Sequence, residues 1–304
     1  MGSSEELKTS TFIIVVLVIF AFLLPIFMGS QTYIMHILVV ILIYATLGQT
    51  WNILAGFAGQ VSLGHNAFFG VGAYTLGLLV YYLDSFKASP WPALFVGGFL
   101  SLLVGLGIGA VCFRLRGAYF ALSTLAASEV VRLIILNSDF TLGGLGIVIP
   151  APPTIQLGIF AIDFRTKTPY YYISLIIMLV VFYVTQALVK SRFGFKLLTI
   201  REDEDAASTI GVSPFTMKLL AISISTFIAG ILGALYAVYI SYIDATPDPG
   251  GVLSLMTGLD AILVGLIGGI GTVLGPLIGA IIRIGLGELL RVYFGRVAGM
   301  DLLT

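Results

Sequence analysis

Charged residues are scarce in this chain, and cysteine is almost absent. Asp, Glu, Lys and Arg make up 10% of its 304 residues, against roughly 25% in an average soluble domain. The 15 basic and 15 acidic residues cancel, so the chain lacks the positive charge with which proteins bind nucleic acid. A single cysteine, Cys112, excludes a disulfide framework and a cysteine-based zinc site.

Motifs of common enzyme classes are also missing. No G-x-x-x-x-G-K-[ST] is present, so the chain does not bind ATP through a P-loop. His36 and His65 are its only histidines, and nothing groups them into a metal site. Ser62 lies in Gln-Val-Ser-Leu-Gly, which lacks the first glycine of the G-x-S-x-G elbow. We therefore expect no catalytic residue, no metal and no cofactor in this chain.

Apolar residues dominate instead. They make up 59% of the chain, mean hydropathy is +1.09, and 9–83 contains no Asp, Glu, Lys or Arg. A membrane-spanning helix needs about 20 apolar residues, so the pattern predicts an all-α polytopic membrane protein with eight or nine spans in one domain, 1–304. The predicted spans are 11–28 (an uncleaved anchor), 33–55, 61–83, 91–113, 117–136, 169–189 and 217–243. The apolar stretch 257–295 is too long for one span, and we interpret it as two that meet near Gly271–Gly275.

Basic residues predict the orientation, because cytoplasmic loops carry an excess of Lys and Arg. With the 190–218 loop inside, eight basic residues fall inside and three outside. The inside group is Lys8, Arg114, Arg116, Lys190, Arg192, Lys196, Arg201 and Lys218, and the outside group is Lys87, Arg165 and Lys167. We therefore predict a cytoplasmic N-terminus. A ninth span would place the C-terminus outside, with Arg291 and Arg296.

Glycine is abundant. It accounts for 36 of the 304 residues, or about 12%, where roughly 7% is usual. Several lie four residues apart within spans: Gly105 and Gly109, Gly265 and Gly269, then Gly271, Gly275 and Gly279. This spacing lets helix backbones approach closely. It indicates either simple packing within the chain or helix contacts that permit sliding, and near Pro276 it also permits a broken helix.

Polar side chains enter two of the predicted spans. Gln60, Ser62, His65 and Asn66 cluster at the start of the third, where polar groups are costly unless paired or hydrated. The fifth contains Tyr119, Ser123, Thr124, Ser128, Glu129 and Arg132. Glu129 and Arg132 are three residues apart, hence on one helix face and able to pair. Both groups indicate either hydrogen bonding between helices or the lining of a transport path. Asp260 is an analogous isolated acid near the outer end of a later span, where it either lines such a path or simply faces water.

The longest polar segment, 190–218, is amphipathic. Leu197, Leu198 and Ile200 precede the acidic residues 202–205, which favour a helix N-terminus. On composition alone this is a solvated cytoplasmic loop. Its sequence resembles the coupling loop of the permease subunits of ABC transporters, and most closely that of branched-chain amino-acid permeases. The resembling segment is Ser-Arg-Phe-Gly-Phe-Lys-Leu-Leu-Thr-Ile-Arg-Glu-Asp-Glu-Asp-Ala-Ala-Ser-Thr-Ile-Gly, which ends at Gly211.

Further blocks match this family in the same order, from about residue 35 to 295. They are Gly-Gln-Val-Ser-Leu-Gly-His-Asn-Ala-Phe-Phe-Gly-Val-Gly-Ala-Tyr (59–74), Arg-Leu-Arg-Gly-Ala-Tyr-Phe-Ala-Leu-Ser-Thr-Leu (114–125), Thr-Leu-Gly-Gly-Leu-Gly (141–146), Lys-Leu-Leu-Ala-Ile-Ser (218–223) and Gly-Leu-Ile-Gly-Gly-Ile-Gly-Thr-Val-Leu-Gly-Pro (265–276). The second block resembles the second of the two paralogous permeases of such systems.

The resemblance implies an importer permease of the larger-bundle, type II-like kind in a prokaryotic inner membrane. It would pair with a second permease, two ABC ATPase subunits that use the ATP, and an external binding protein. The candidate path residues are Ser62, Asn66, Tyr119, Thr124 and Glu129. The candidate ATPase contacts are Leu197, Leu198 and Ile200 as buried anchors, Glu204 for charge, Ala206 and Ala207 for close approach, and Gly211 for the turn back to the membrane.

Two alternatives stay open. Urea permeases of the same superfamily share several of these blocks, so the solute is either an amino acid or another small polar molecule. A self-contained secondary transporter would couple to ions through buried acids, and Glu129 and Asp260 are the only acids near the spans before Glu288.

Overall fold

The computed structural model describes residues 16, 18–29, 31–157, 160–248 and 250–291. Most of them are helical. The helices are α1 (Val18–Met28), α2 (Thr32–Asn52), α3 (His65–Tyr82), α4 (Asp84–Ala88), α5 (Trp91–Cys112), α6 (Ala118–Leu136), α7 (Thr168–Lys190), α8 (Arg192–Glu202), α9 (Glu204–Thr209), α10 (Pro214–Ile240), α11 (Leu255–Gly268) and α12 (Gly275–Ala280). π-Helical turns at Ile53–Phe57 and Ile281–Leu286 extend α2 and α12.

Short strands and turns connect some of these helices. Single 3₁₀ turns lie at Asp139–Thr141 and Gly143–Leu145. Strand β1 (Ile147–Val148) pairs antiparallel with β4 (Tyr242–Ile243), and β2 (Ile155–Leu157) pairs antiparallel with β3 (Phe160–Ile162). The β1–β4 pair marks one end of the helix bundle, and α8 and α9 mark the other; we call these the β1–β4 end and the α8–α9 end.

The observed helices agree with most of the predicted spans. Among the described residues, five segments are long and apolar enough to cross a membrane, namely Thr32–Phe57, α5, α6, α7 and α10, and each coincides with a predicted span. The helix observed in the predicted span 61–83 is shorter than that span, because α3 begins only at His65 and 59–64 is not helical. Of the predicted span 11–28, Val18–Met28 is helical, and residues 1–15 with Lys8 lie outside the described residues, as do 292–304 with Arg296.

The last apolar stretch is broken as predicted. Helix α11 ends at Gly268 and α12 begins at Gly275, so the two segments meet at the turn 269–274. Asp260 does not simply face water. Its carboxylate lies 2.6 Å from Arg283 Nη2 on the following segment. The prediction missed this partner because the two residues lie on separate helices.

Helices α2 and α10 form the centre of the bundle. More than half of the residues of each are buried, and α10 packs along both α3 and α5. Glycines make this packing possible: a Cβ at Gly72 would collide with the Gly230 carbonyl, and one at Gly233 with the Phe69 carbonyl. A Cβ at Gly105 would meet Thr226, and one at Gly265 would meet Trp51. The glycines at 105 and 265 therefore lie at close helix contacts, and the sliding of helices at such contacts stays a prediction.

The segment that precedes helix α11 lies inside the bundle, where 251–254 are buried. After β4 the chain folds back, and Arg132 Nη1 donates a hydrogen bond to the Ala245 carbonyl over 3.0 Å. Deeper, Asn66 Nδ2 donates to the Leu253 carbonyl over 2.9 Å. The 14 residues of α11 span about 21 Å at 1.5 Å per residue. They are therefore too short to cross a hydrocarbon core of about 30 Å alone.

Candidate functional site

The predicted path residues divide into two groups. Ser62, Asn66 and Thr124 are buried where the non-helical segment 59–64 meets α3 and α6. Tyr119 and Glu129 lie on the outward face of α6. The two groups therefore have different surroundings.

The hydroxyls of the buried group hold the 59–64 segment in place. Thr124 Oγ1 accepts a hydrogen bond from the Leu63 amide over 3.0 Å, and Ser62 Oγ accepts one from the Gly64 amide over 3.3 Å. Trp51 Nε1 donates to the Ser62 carbonyl over 2.8 Å. A backbone segment that leaves the helix inside a membrane needs such partners. Ser62 and Thr124 therefore supply the hydrogen bonds that the missing helix would have made.

A buried polar cluster connects α3 to α10 and α2. Ser225 Oγ donates to the Thr50 carbonyl over 2.7 Å and lies 3.0 Å from His65 Nε2. Because the serine proton is already used, Nε2 of His65 is the donor and its Nδ1 is an acceptor. Neither His65 Nδ1 nor Asn66 Oδ1 has a hydrogen-bond partner among the described residues. Two buried acceptors thus lie at the first turn of α3. Sequence reasoning missed Ser225, and its only signal was a polar residue in an apolar span.

Glu129 and Arg132 form the predicted pair. Arg132 Nε donates to Glu129 Oε2 over 2.9 Å, and Nη2 lies 2.5 Å from Oε1. The Arg132 side chain is 10% exposed, whereas that of Glu129 is 52% exposed. The guanidinium is therefore inside the bundle, where it also binds Ala245, and the carboxylate lies on the outward face.

That outward face of α6 is a continuous stripe. Its exposed residues recur every three or four positions along the helix: Tyr119, Leu122, Ala126, Glu129, Leu133 and Asn137. A helical period of 3.6 places these residues on one side. Glu129 is the twelfth of the 19 residues of α6, so an acidic group lies near the middle of the stripe, between the apolar residues Ala126 and Leu133.

The 190–218 loop forms two short helices, α8 and α9. Ser191 Oγ accepts from the Gly194 amide at the start of α8. Asp203 accepts from the amides of Asp205 and Ala206 at the start of α9, which agrees with the predicted acidic N-terminus. Gly211 follows with φ of +83°, a left-handed conformation that lets the chain turn towards α10.

The predicted ATPase contacts do not all lie on the surface. Leu197, Ile200 and Ala207 are buried in this chain's own bundle, and Leu198 is partly buried. This corrects the prediction that Leu197 and Ile200 anchor in a partner groove, because they offer it no free surface here. Ala206 and Gly211 are exposed. The large exposed apolar side chains of α8, of α9 and of the turn that follows them are Phe195 (66%) and Ile210 (70%).

Ion pairs join the loop to the bundle. Glu204 Oε2 lies 2.6 Å from Nζ of Lys218, whose side chain is fully buried in α10. Arg116, in the turn between α5 and α6, makes two hydrogen bonds to Asp205, over 2.9 and 3.1 Å. These bonds hold the pKa of Asp205 below its usual value and raise that of Arg116. Glu204, predicted to provide charge to a partner, also lies 3.9 Å from Arg116 Nε.

Comparison with known proteins gives a consistent result. The family described as "Branched-chain amino acid transport system / permease component" matches residues 33–303. The chain is 28% identical over 274 residues to the high-affinity branched-chain amino acid transport system permease protein LivM of Salmonella typhimurium LT2, covering 82% of this chain and 62% of that protein. It is 27% identical over 270 residues to LivM of Escherichia coli K12, with the same coverage. The chain thus spans 62% of the length of these relatives. No solved structure matches it.

Proposed function

Because this chain belongs to the family of permease components of branched-chain amino acid transport systems, we propose that it is the membrane-spanning subunit of an ATP-driven importer for branched-chain or related amino acids. The observation that carries the proposal is the family match over 33–303, which includes the buried polar cluster, α6 and the 190–218 loop. ATP is bound and hydrolysed by a separate subunit in this proposal, and this chain binds no cofactor of its own.

The path lies along the outward stripe of α6. An ionised carboxylate in contact with lipid at mid-membrane costs about 2.5–3.5 kcal/mol on insertion scales. Arg132 neutralises Glu129 from the bundle side, but half of the carboxylate side chain is exposed on the other side. That side therefore favours water or protein over hydrocarbon. We place the solute path there, with a second, homologous permease forming the opposite wall.

Labelling of introduced cysteines tests this placement. In a Cys112→Ser background, Ala126→Cys lies one turn from Glu129 on the stripe, and Phe99→Cys lies on an exposed apolar position of α5. In the assembled complex in liposomes, we expect a water-soluble maleimide to label position 126 and to leave position 99 unlabelled. Equal protection of both positions would place lipid against α6 and contradict the path.

The ATPase docks on the exposed side of the loop. Phe195 and Ile210 supply the apolar contacts, Ala206 and Gly211 permit close approach, and exposed acids such as Glu202 and Asp205 meet a basic rim. We expect Phe195→Ser and Ile210→Ser to weaken co-purification of the ATPase subunits. Leu145→Ser, at an exposed apolar position near β1, is the control and is expected to have no effect. Normal association of both loop variants would contradict this docking surface.

The α8–α9 end faces the cytoplasm in this proposal. Apart from Lys8, the basic residues predicted inside lie at this end or on α8 and the start of α10. The N-terminus is then cytoplasmic and the membrane is the prokaryotic inner membrane. The chain crosses it eight or nine times. An impermeant amine reagent should label Lys167 and not Lys196 in intact cells. Labelling of Lys196 in intact cells would contradict this orientation.

Uptake by the assembled complex tests the function. Liposomes that contain this chain, the second permease and the ATPase subunits should take up leucine, isoleucine or valine only with internal ATP and external binding protein. Uptake of urea but of no amino acid would contradict the proposed substrate, whereas the proposal of an ATP-driven importer would stand. Uptake driven by an ion gradient without ATP would indicate a secondary transporter and contradict the importer.

A further inference from the structure

One arginine of the 190–218 loop reaches the end of the central helix α2. Arg201, near the end of α8, donates a hydrogen bond from Nη1 to the carbonyl oxygen of Gly56 over 2.7 Å. Gly56 belongs to the π-helical turn Ile53–Phe57 with which α2 ends. The contact therefore joins the surface loop to a helix most of whose residues are buried.

The chemistry of a helix end explains why a cation fits there. The last carbonyls of a helix have no partner within the helix, and they carry the negative end of its dipole. The end of α2 is also irregular, since the Gln60 amide donates to the Leu54 carbonyl, and π-helical turns are frequent at functional sites. Arg201 provides both a donor and a positive charge to this end.

The same guanidinium lies against the turn 269–274. A Cβ at Gly271, where φ is +78°, would lie 2.9 Å from Arg201 Nη1. The Gly271 amide donates to Asn52 Oδ1 over 2.8 Å, and Asn52 Nδ2 donates to the Thr272 carbonyl over 2.8 Å. Gly59 lies on the other side, where a Cβ would be 3.3 Å from Arg201 Cα. We call the unit formed by Arg201, 53–60 and 269–274 the α2 junction.

We infer that Arg201 is a positioning residue that transmits displacement of the α8–α9 loop to the α2 junction. The inference rests on the proposed function, because the ATPase supplies the displacement. Through the α2 junction the loop is bonded to α2 and to the α11–α12 turn. On α2, Trp51 donates to the Ser62 carbonyl of the 59–64 segment, and the Thr50 carbonyl accepts from Ser225 of the buried polar cluster. A movement of α8 thereby reaches the 59–64 segment through α2.

Hydrogen exchange in the full complex, with and without ATP and vanadate, tests this inference. In the wild-type complex, we expect nucleotide trapping to change exchange in 192–202, 53–60 and 269–274. With Arg201→Gln, the change in 192–202 should persist and those in the other two segments should fall at least threefold. Arg201→Lys, which keeps the charge and one donor, should restore at least half of the response. Lys196→Gln, which removes a charge from an exposed position on the same helix, is the matched control.

Uptake per ATP hydrolysed supplies a second measurement. We expect Arg201→Gln to reduce this ratio at least tenfold with the ATPase still bound, and Lys196→Gln to leave it unchanged. If 53–60 and 269–274 respond in Arg201→Gln as in the wild type, or if the ratio is unchanged, the inference is overturned and the proposed function stands. If 192–202 does not respond to trapping even in the wild type, docking of the ATPase on this loop is refuted, and the inference fails with it.

Discussion

The buried Lys218–Glu204 pair predicts an asymmetry between two substitutions that remove the same ion pair. The Lys218 side chain is fully buried, whereas that of Glu204 is 22% exposed. Glu204→Gln leaves a buried ammonium without its counter-charge. Lys218→Met removes that ammonium, keeps an unbranched side chain of similar length, and leaves a carboxylate that still has solvent and Arg116 nearby.

The magnitudes follow from burial. Removing one partner of a buried pair costs about 3–5 kcal/mol, because the other charge stays desolvated. Losing a partly exposed pair costs about 0–1 kcal/mol, so Lys218→Met falls near that range. At about 2 °C per kcal/mol for a chain of this size, Glu204→Gln should lower the unfolding midpoint by about 6–10 °C and Lys218→Met by about 2 °C or less. The double variant should regain most of the loss caused by Glu204→Gln.

The single cysteine provides the assay. Cys112 is buried in the fold, so a thiol-reactive dye reports unfolding of the detergent-solubilised chain as it is heated. The four proteins of the double-mutant cycle are compared at one heating rate. Equal shifts for the two single variants, or a shift below 2 °C for Glu204→Gln, would show that Lys218 is solvated in the folded protein and refute the reasoning.

Three further predictions use other contacts. Gly233→Ala should lower the Cys112 unfolding midpoint by several degrees because its Cβ meets the Phe69 carbonyl, whereas Gly107→Ala, with open space around it, should not lower it. The Arg116–Asp205 ion pair should protect the loop from proteolysis. This protection should be complete at pH values above the ordinary Asp205 pKa of 3.8, and it should decrease as the pH falls through the lowered pKa of Asp205 in the folded protein. Arg116→Gln should abolish this pH dependence of proteolysis. Gly211→Val should abolish uptake and weaken association with the ATPase subunits. Gly211→Asn should retain both, because asparagine tolerates positive φ. Normal uptake by the valine variant would show that the loop only connects α7 to α10.

The local features of this protein follow from its sequence. Runs of apolar residues determined the long helices α2, α5, α6, α7 and α10, because any such run must satisfy its backbone within the membrane. Spacing alone also determined the Glu129–Arg132 pair, the start of α9 and the break between α11 and α12. These features depend on neighbours within one helix or one turn, and periodicity and capping residues report them directly.

Contacts between distant segments were decided only by the tertiary structure. Leu197 and Ile200 are typical of an amphipathic loop helix, but the sequence does not tell whether their apolar side meets a partner or the chain's own bundle. The hydrogen bond from Arg201 to Gly56 joins residues 145 positions apart, and the half-length of α11 depends on Leu253 meeting Asn66 inside the bundle. Helical periodicity specifies which residues share a face. Which face meets which depends on the packing of the whole bundle, where close approach at glycines such as Gly72 and Gly233 selects the neighbours.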